Sequence, residues 1–388
     1  MPAMDHIRYL AETIGPRGST TPQEAEAARY AADVLRKLGL EPVTESFTSA
    51  RSAWYPYVLF TGLALLAEVL FWAAGRTGAI VAAVLTAVAL ASVLLELAFR
   101  PNPIRWVLPK GRSQNVWARR MPSGEVRQHV VVMGHLDSHR TPLAFSTDRW
   151  VRLFSRLVPI GLASAIALLV LFVIGAVVPG ILWRILSLPF ALVILGVFLI
   201  TLQADFSPYT AGANDNATGA GIVLSLAERL ARQPLDRTAV WLVLSGCEEV
   251  GCYGAEDFAR RHRDELGRGV WITLDSVGGA HSSPAYLTQE TFLLTVPSDP
   301  ELLALAERIA ARHPEWDAHS HRFRGAYTEG SIAAKYGFRV LTFTSHRRDG
   351  ILPEWHRPTD TVDHLDPRVV EHTEALVWEL LQEIDGKG

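Results

Sequence analysis

Two cysteines, Cys247 and Cys252, are all that the 388-residue chain has, too few for a disulfide framework. Their scarcity fits a reducing compartment. The chain also lacks a basic excess: its formal net charge is -3 and its isoelectric point is near 6.5, which excludes an electrostatic footprint for nucleic acid. The most informative absence is local. Four stretches, Tyr57 to Ala74, Gly78 to Phe99, Leu157 to Val178 and Ile185 to Leu202, total 80 residues yet hold only two of the 77 charged side chains, Glu68 and Glu96. The remaining 308 residues are about 24% charged, close to the globular norm of roughly 25%. A purely soluble enzyme, a fibrous or disordered chain and a protein made mostly of membrane are all excluded by that segregation.

Each stretch has 18 or 22 residues, and at about 1.5 Å of rise per helical residue such a run spans a hydrocarbon core of roughly 30 Å. They fall into two pairs, joined by Gly75-Arg76-Thr77 and by Pro179 to Arg184, so the expectation is four transmembrane helices in two hairpins. Pro159 and Pro189 are expected in first turns, where a missing N–H costs least. Of the two buried acids, Glu96 lies near a helix end and can reach the interface, while Glu68 either snorkels or bonds a neighbouring helix.

Because each hairpin returns to the side it left, residues 1–56, 100–156 and 203–388 share one compartment and are expected to build one catalytic domain around hairpins 57–99 and 157–202. Residues 1–56 carry six Lys or Arg and seven Asp or Glu, with no apolar leader. Eight basic residues flank the spans on the domain side (Arg51, Arg100, Arg105, Lys110, Arg112, Arg149, Arg152 and Arg156) against Arg76 and Arg184 beyond. That bias favours a cytoplasmic domain.

The water-facing remainder alternates strands and helices and shows no internal repeats. A helix opens at Thr21-Pro22 and stops before Gly39; helices follow at Ala220 to Arg232, Ala255 to Arg263, Pro300 to Arg312 and Pro367 to Glu383. Strands are expected at Asn115 to Ala118, His129 to Met133, Ala239 to Leu244, Val270 to Leu274 and Val340 to Thr344. Strands apolar on both faces and alternating with helices predict an α/β domain with a mostly parallel sheet flanked by helices. In such sheets chemistry collects at the carboxyl ends of strands.

The polar clusters fall at those ends. They are His135-Leu136-Asp137, Asp215-Asn216-Ala217-Thr218-Gly219, Glu248-Glu249-Val250-Gly251, Asp275, and His356 followed by Asp360-Thr361. Singly, each is weak: a His-x-Asp is usually a surface pair, and a Glu-Glu beside a helix start a solvated cap. Together, two histidines and three carboxylates make a ligand set suited to Zn²⁺ or a similar divalent ion. Two such ions would need a bridging carboxylate and a bridging water.

In this order the motifs resemble the co-catalytic di-zinc aminopeptidase family, which includes secreted bacterial leucyl aminopeptidases, glutamate carboxypeptidases and endoplasmic-reticulum metallopeptidases. The resemblance implies two divalent ions, zinc foremost, bridged by Asp215. His135 and Asp275 would complete one site, Glu249 and His356 the other. Glu248 would be the general base and Asp137 the carboxylate that orients His135. Two departures stand out. His135 and Asp215 are 80 positions apart because the second hairpin lies between them. At Tyr327-Thr328-Glu329-Gly330-Ser331, where the family has Ser-Asp-His or Ser-Asp followed by an apolar residue, Tyr327 and Glu329 are the candidates for the substrate side; Glu329 is equally read as a cap for a helix from Ser331. His139, His319, His321 and His346 are read as loop or supporting histidines, Cys247 as packing, and Gly212 and Asn214 as shaping the turn that carries Asp215.

The function expected is a membrane-anchored zinc metallopeptidase that removes N-terminal residues from peptides, with the lipid bilayer as its other partner. Alternatives are an amidase or deacylase of N-acylated or lipid-linked substrates, and a non-catalytic receptor or scaffold, against which the intact ligand set argues. Transport is disfavoured because the spans carry only Glu68 and Glu96 as ionisable groups.

Overall fold

The computed structural model describes residues 2–387. Two compact units make up the chain. One unit comprises the residues up to Arg51, Lys110–Arg140, and the chain from Tyr209 on; the other comprises Ser52–Pro109 and Thr141–Pro208.

Among the described residues of the first unit, nine strands form one sheet: β1 (Val43–Ala50), β2 (Lys110–Arg120), β3 (Gln128–His135), β4 (Thr238–Ser245), β5 (Val270–Leu274), β6 (Ser283–Thr291), β7 (Thr295–Pro297), β8 (His319–Arg324) and β9 (Arg339–His346). Their order is β1-β2-β4-β3-β5-β9-β6-β7, with β8 beside β6. The centre, β4-β3-β5-β9, is parallel as expected. The flanks differ: β1 and β2, β2 and β4, β6 and β9, and β6 and β7 pair antiparallel. Those flanking strands are short of the continuous apolar runs that mark the centre, so β1, β6, β7 and β8 were invisible to a reading based on hydrophobic runs.

Alternation along the strands divides the core. Val130, Val132, Val240, Leu242 and Ile272 belong to one buried cluster with residues of helices Pro2–Arg8, Pro22–Lys37, Gly219–Arg232, Pro300–Arg312 and Pro367–Lys387. The intervening residues Trp241 and Trp271, with Trp117 from β2, set their rings edge-on around Phe258 of helix Tyr253–Leu266. Every β4 and β5 residue is buried, as expected of strands covered on both faces. Helix Pro22–Lys37 starts where Thr21 accepts from the Glu24 N–H at 3.3 Å, and its stripe Ala27, Ala28, Ala31 and Leu35 is buried.

The second unit consists of helices Tyr55–Ala73, Gly75–Leu97, Asp148–Val177 and Ile181–Phe206, with the short helix Ile104–Val107. The four long helices have 19, 23, 30 and 26 residues, and by length and composition each is able to cross a membrane. One expectation is corrected: Pro159 and Pro189 lie inside their helices, not in first turns. Thr147 caps the third helix through the Trp150 N–H at 3.2 Å, so it begins nine residues before the uncharged run and carries Arg149, Arg152 and Arg156.

Small residues, Ala64, Ala67, Ala79, Ala82 and Gly175, are buried between these helices, while Val69, Val84, Val170, Leu192 and Leu199 point outward. A Cβ on Gly175 would stand 2.5 Å from the Phe71 ring, so that approach requires glycine. Thr61 and Thr201 return their hydroxyls to the carbonyls of Tyr57 and Val197 at 2.7 and 2.9 Å. Glu68 is a helix–helix group: its Oε1 accepts from Trp72 Nε1 and Ser187 Oγ, each at 2.7 Å. Glu96 pairs with Arg105 at 2.7 Å and accepts from Asn102 Nδ2 at 2.6 Å.

Candidate metal centre

All the expected ligands meet at the carboxyl ends of the parallel strands. His135 is the last residue of β3, Glu248 and Glu249 follow β4, and Asp275 follows β5 with its N–H on the Phe343 carbonyl at 3.0 Å. Asp215 lies in the turn ahead of helix Gly219–Arg232. That turn starts at Gly212, whose φ of +62° and whose Cβ position 2.5 Å from Ser138 Cβ both demand glycine. Asn214 and Asn216 fasten it: Asn214 donates to the Pro353 carbonyl at 3.0 Å, and Asn216 to the Leu274 carbonyl at 2.7 Å. The Asp215–Asn216 peptide is cis.

Asp215 faces both histidines. Its Oδ1 lies 3.3 Å from His135 Nε2 and its Oδ2 lies 3.4 Å from His356 Nε2. His356 Nε2 is also 3.3 Å from Glu249 Oε2, while His135 Nε2 has Glu248 Oε2 at 3.9 Å and Asp275 Oδ1 at 4.0 Å. Three groups have the spacing of a metal site: His135, Asp215 and Asp275; His135, Glu248 and Glu249; and His139, Glu249 and His356, the ligand atoms within each lying inside 4.8 Å of one another.

The loop carrying the acidic pair is held through its N–H groups. Gly246 donates to Asn115 Oδ1 at 3.2 Å, Cys247 to Glu24 Oε1 at 2.9 Å, Glu248 to Asp137 Oδ1 at 3.1 Å and Glu249 to Asp137 Oδ2 at 3.2 Å. Asp137 therefore sets two elements at once, because His135 Nδ1 is 3.4 Å from its Oδ1 and 3.1 Å from its carbonyl oxygen. Ser19 completes it with a 2.6 Å hydroxyl bond. Burial would raise the Asp137 carboxyl, but His135 and these donors hold it below its ordinary range.

Carboxylates crowd the centre. Burial, compounded by neighbouring acids, pushes Glu248 and Glu249 well up and Asp275 to about 7. Burial would also lower His135, yet Asp137, Asp215 and Glu248 hold it well above its ordinary value. His356 goes the other way, driven down by burial and then by His139 and His135, so it stays neutral with a lone pair to give. His135 Nε2 and Glu249 Oε1 are buried without a hydrogen bond. Buried polar atoms left without a partner inside a shell of imidazoles and carboxylates are what a divalent cation satisfies, and the donor set fits zinc.

Several residues beyond the expected ligands brace the centre. Arg17 is fully buried and donates to the carbonyls of Leu10, Gly15, Leu136, Ala211 and Gly212 at 2.7 to 2.9 Å, tying together the loops that carry His135 and Asp215. Asp360 accepts the N–H groups of Asn214 and Asp215 at 2.6 and 3.1 Å. Cys252 directs its thiol at Glu248 Oε1, 3.1 Å away. Glu24 is buried and raised to about 8, mainly by burial. The capping pattern Thr21-x-x-Glu24 and the place of Asp360 after His356 were the sequence signals among these. Cys247 is buried, its thiol pushed well up by burial and then by Glu24.

The substrate-side candidates separate. Glu329 is buried, bonded by the Ser245 hydroxyl and raised to about 7, chiefly by burial. It stands in the first turn of helix Glu329–Lys335, which Thr328 caps, correcting the expectation of a cap for a helix from Ser331. Tyr327 instead donates to the Leu294 carbonyl at 2.5 Å and accepts its N–H at 2.7 Å. His346 stacks on His321 at 3.9 Å, and His319 Nδ1 is 3.3 Å from Ser283 Oγ. Among the described residues none of these three belongs to the metal-spaced groups.

Comparison with known proteins agrees with this geometry. Residues 197–381 match the family model described as Peptidase family M28. Aminopeptidase YwaD of Bacillus subtilis (strain 168) is 24% identical over 190 residues, 47% of this chain and 39% of that one. The match thus spans well under half the length of that relative. BSAP, a zinc aminopeptidase from Bacillus subtilis, superposes with a TM-score of 0.57 at 16% identity, covering 99% of this chain and 94% of that chain. A Bacteroides thetaiotaomicron leucine aminopeptidase precursor gives 0.56 at 13% identity, covering 98% and 96%. A glutaminyl cyclase from the same organism gives 0.57 at 13%, also covering 98% and 96%. The protein is related to the M28 peptidases, and its resemblance to the co-catalytic zinc aminopeptidases holds in sequence over 197–381 and in fold over nearly the whole chain.

Proposed function

We propose that the protein is a membrane-anchored metallo-aminopeptidase that hydrolyses N-terminal peptide bonds at a two-ion centre. The observation that carries this reading is Asp215, whose two oxygens face His135 and His356 separately. In the proposed assignment Asp215, His135, Asp275, Glu249 and His356 would hold two divalent ions, which when bound would acidify a water and polarise the scissile carbonyl. Glu248, next to this shell but not needed to fill it, takes the proton from the water and passes it to the leaving amine. Asp137 keeps His135 in one orientation and holds the Glu248 and Glu249 N–H groups, so the base cannot drift from the ligands. Cys252 supports the base by its bond to Oε1, leaving Oε2 toward His135.

The four apolar helices support anchoring, and the count of flanking basic residues supports a cytoplasmic catalytic unit. Cysteines introduced at Arg76 and in the Pro179 to Arg184 turn are then expected to react with an impermeant thiol reagent on intact cells. Labelling of a C-terminal cysteine instead would reverse the sidedness.

The function is tested on detergent-purified protein by metal analysis together with three substrate sets: free-amino peptides, N-acyl amino acids, and peptides with N-terminal Gln. Chelator-sensitive release of N-terminal residues is expected. Cleavage confined to N-acyl substrates would make it an amidase, and conversion of N-terminal Gln to its cyclic form without hydrolysis would make it a cyclase. Glu248→Gln preserves shape while removing the base, so kcat is expected to fall by roughly 10² to 10⁴ with metal content unchanged.

A further inference from the structure

Three arginines near the start of helix Asp148–Val177 serve neither the metal centre nor the packing of the helices. Arg149, Arg152 and Arg156 are all exposed. Their spacing of three and four residues puts them on one face of the helix, and the same face continues through the exposed Ile160, Ile166 and Val170. The residues this helix buries, among them Ser164, Leu168 and Phe172, lie on the opposite face. A single outward face is therefore apolar along the span and cationic at its end.

The height of that change is set by the sequence. The charge-free run begins at Leu157, so Arg156 stands at the edge of the hydrocarbon. At about 1.5 Å per residue Arg152 is about 6 Å and Arg149 about 10 Å further out, against a headgroup layer of roughly 5 to 7 Å. Long guanidinium side chains reach back across the remainder. A second marker of the interface follows helix Gly75–Leu97: Trp106 of the short helix Ile104–Val107 is 76% exposed, and the Glu96–Arg105 pair ties that helix down.

The row also keeps its charge. Glu68 is taken by Trp72 and Ser187, Glu96 by Arg105, and Asp205 by the Ser52 hydroxyl. Among the described residues no carboxylate pairs with Arg149, Arg152 or Arg156. Three arginines against one aspartate leave Asp148–Arg156 net positive. Unneutralised guanidinium forks at headgroup height are complementary to phosphate oxygens.

We infer that Arg149, Arg152 and Arg156 bind the headgroup of an anionic phospholipid whose acyl chains lie along Ile160, Ile166 and Val170. A zwitterionic headgroup has the same phosphate but brings its own cation, so the row selects lipids by net charge. The inference rests on the membrane-anchored reading proposed above and holds for either sidedness.

The test uses full-length protein in phosphatidylcholine vesicles with a trace of spin-labelled phosphatidylglycerol or spin-labelled phosphatidylcholine. The fraction of each label immobilised at the protein surface is read by electron spin resonance. Phosphatidylglycerol is expected to be preferred about 3-fold or more at low salt, with the preference shrinking at high salt. Arg149→Gln, Arg152→Gln and Arg156→Gln combined should bring the ratio close to equality. Arg152→Gln alone, which disturbs insertion least, should lower it about 2-fold. No preference in the wild type, or an unchanged ratio in Arg152→Gln or the triple variant, would overturn the inference. Excess glycerol phosphate, which has the charge without the chains, should not displace the label; displacement would assign the row to soluble phosphate instead. Protein that stays in solution without detergent and joins no vesicle would overturn the membrane-anchored reading itself, an outcome distinct from equal association with both lipids.

Discussion

The two units solve opposite problems. In the first, polar groups are buried by design: a carboxylate cluster, two facing histidines and a fully buried arginine sit at strand ends, and nearly every N–H around them has a named acceptor. In the second, few polar groups lie along the helices, and Thr61, Thr201, Glu68 and Ser187 bond their own helix or a neighbouring one. The outward side chains reverse accordingly. The four long helices expose Val69, Val84, Val170 and Leu192, whereas the first unit gathers most of its apolar side chains into buried clusters. A near-average composition can thus hide two solvents, and only the order of residues separates them.

The chain's connections also differ in kind. Ala50 is the register partner of Lys110, and Arg140 bridges Tyr209. Each hairpin therefore enters and leaves the first unit at neighbouring backbone positions, where a soluble protein would place a short turn.

The sharpest break in the comparison is expected from Asp215→Ala. It removes the one side chain that faces both histidines, so hydrolysis should fall to background and at least one bound ion should be lost, as read by metal analysis. Full metal content and activity would mean that the first unit's buried acids are not a metal shell.

A smaller effect, again opposite in the two units, is expected from adding one lysine. Leu192 lies in the middle of helix Ile181–Phe206 and is 67% exposed. If that helix faces lipid, Leu192→Lys costs about 2.5 to 3.5 kcal/mol of insertion, visible as loss from the membrane fraction. Met121, 46% exposed in the first unit, should tolerate Lys within about 0.5 kcal/mol. Equal tolerance at both positions would break the distinction between the two surfaces.

Metal removal should expose a pH dependence belonging to the first unit alone. In the metal-free protein Asp275 and Glu329 are each raised to about 7, whereas unfolded Asp and Glu titrate near about 4. A raised folded value means that the native state binds more protons, so stability is greatest below the unfolded value and declines as pH rises through about 7. Chelated protein is therefore expected to melt at a lower temperature at pH 8 than at pH 5.5, and zinc should restore stability at pH 8. A chelated protein more stable at pH 8 would contradict the assigned burial.

The smallest effect is expected from Glu68→Gln, which keeps an acceptor for Trp72 and Ser187; a loss of about 0.6 kcal/mol or less fits such interhelical bonds in membranes. Its check is thermal stability in detergent beside that of Glu68→Leu, which should lose more.

The sequence by itself determined the elements whose causes are local. Continuous apolar runs marked β3, β4, β5 and β9, Thr21 with Pro22 marked the first long helix, and charge-free runs marked the hairpins. Motif order was enough to nominate His135, Asp215, Glu249, Asp275 and His356, because ligand chemistry restricts residue types. Tertiary structure decided what depends on distant partners. The antiparallel flanks follow from pairing across the sheet. Arg17, Glu24 and Asp360 earn their places by bonding backbone tens or hundreds of positions away, and no local pattern encodes a bond at that separation. His139 stands at the same boundary: its position beside His135 was in the sequence, but only folding laid its ring against His356.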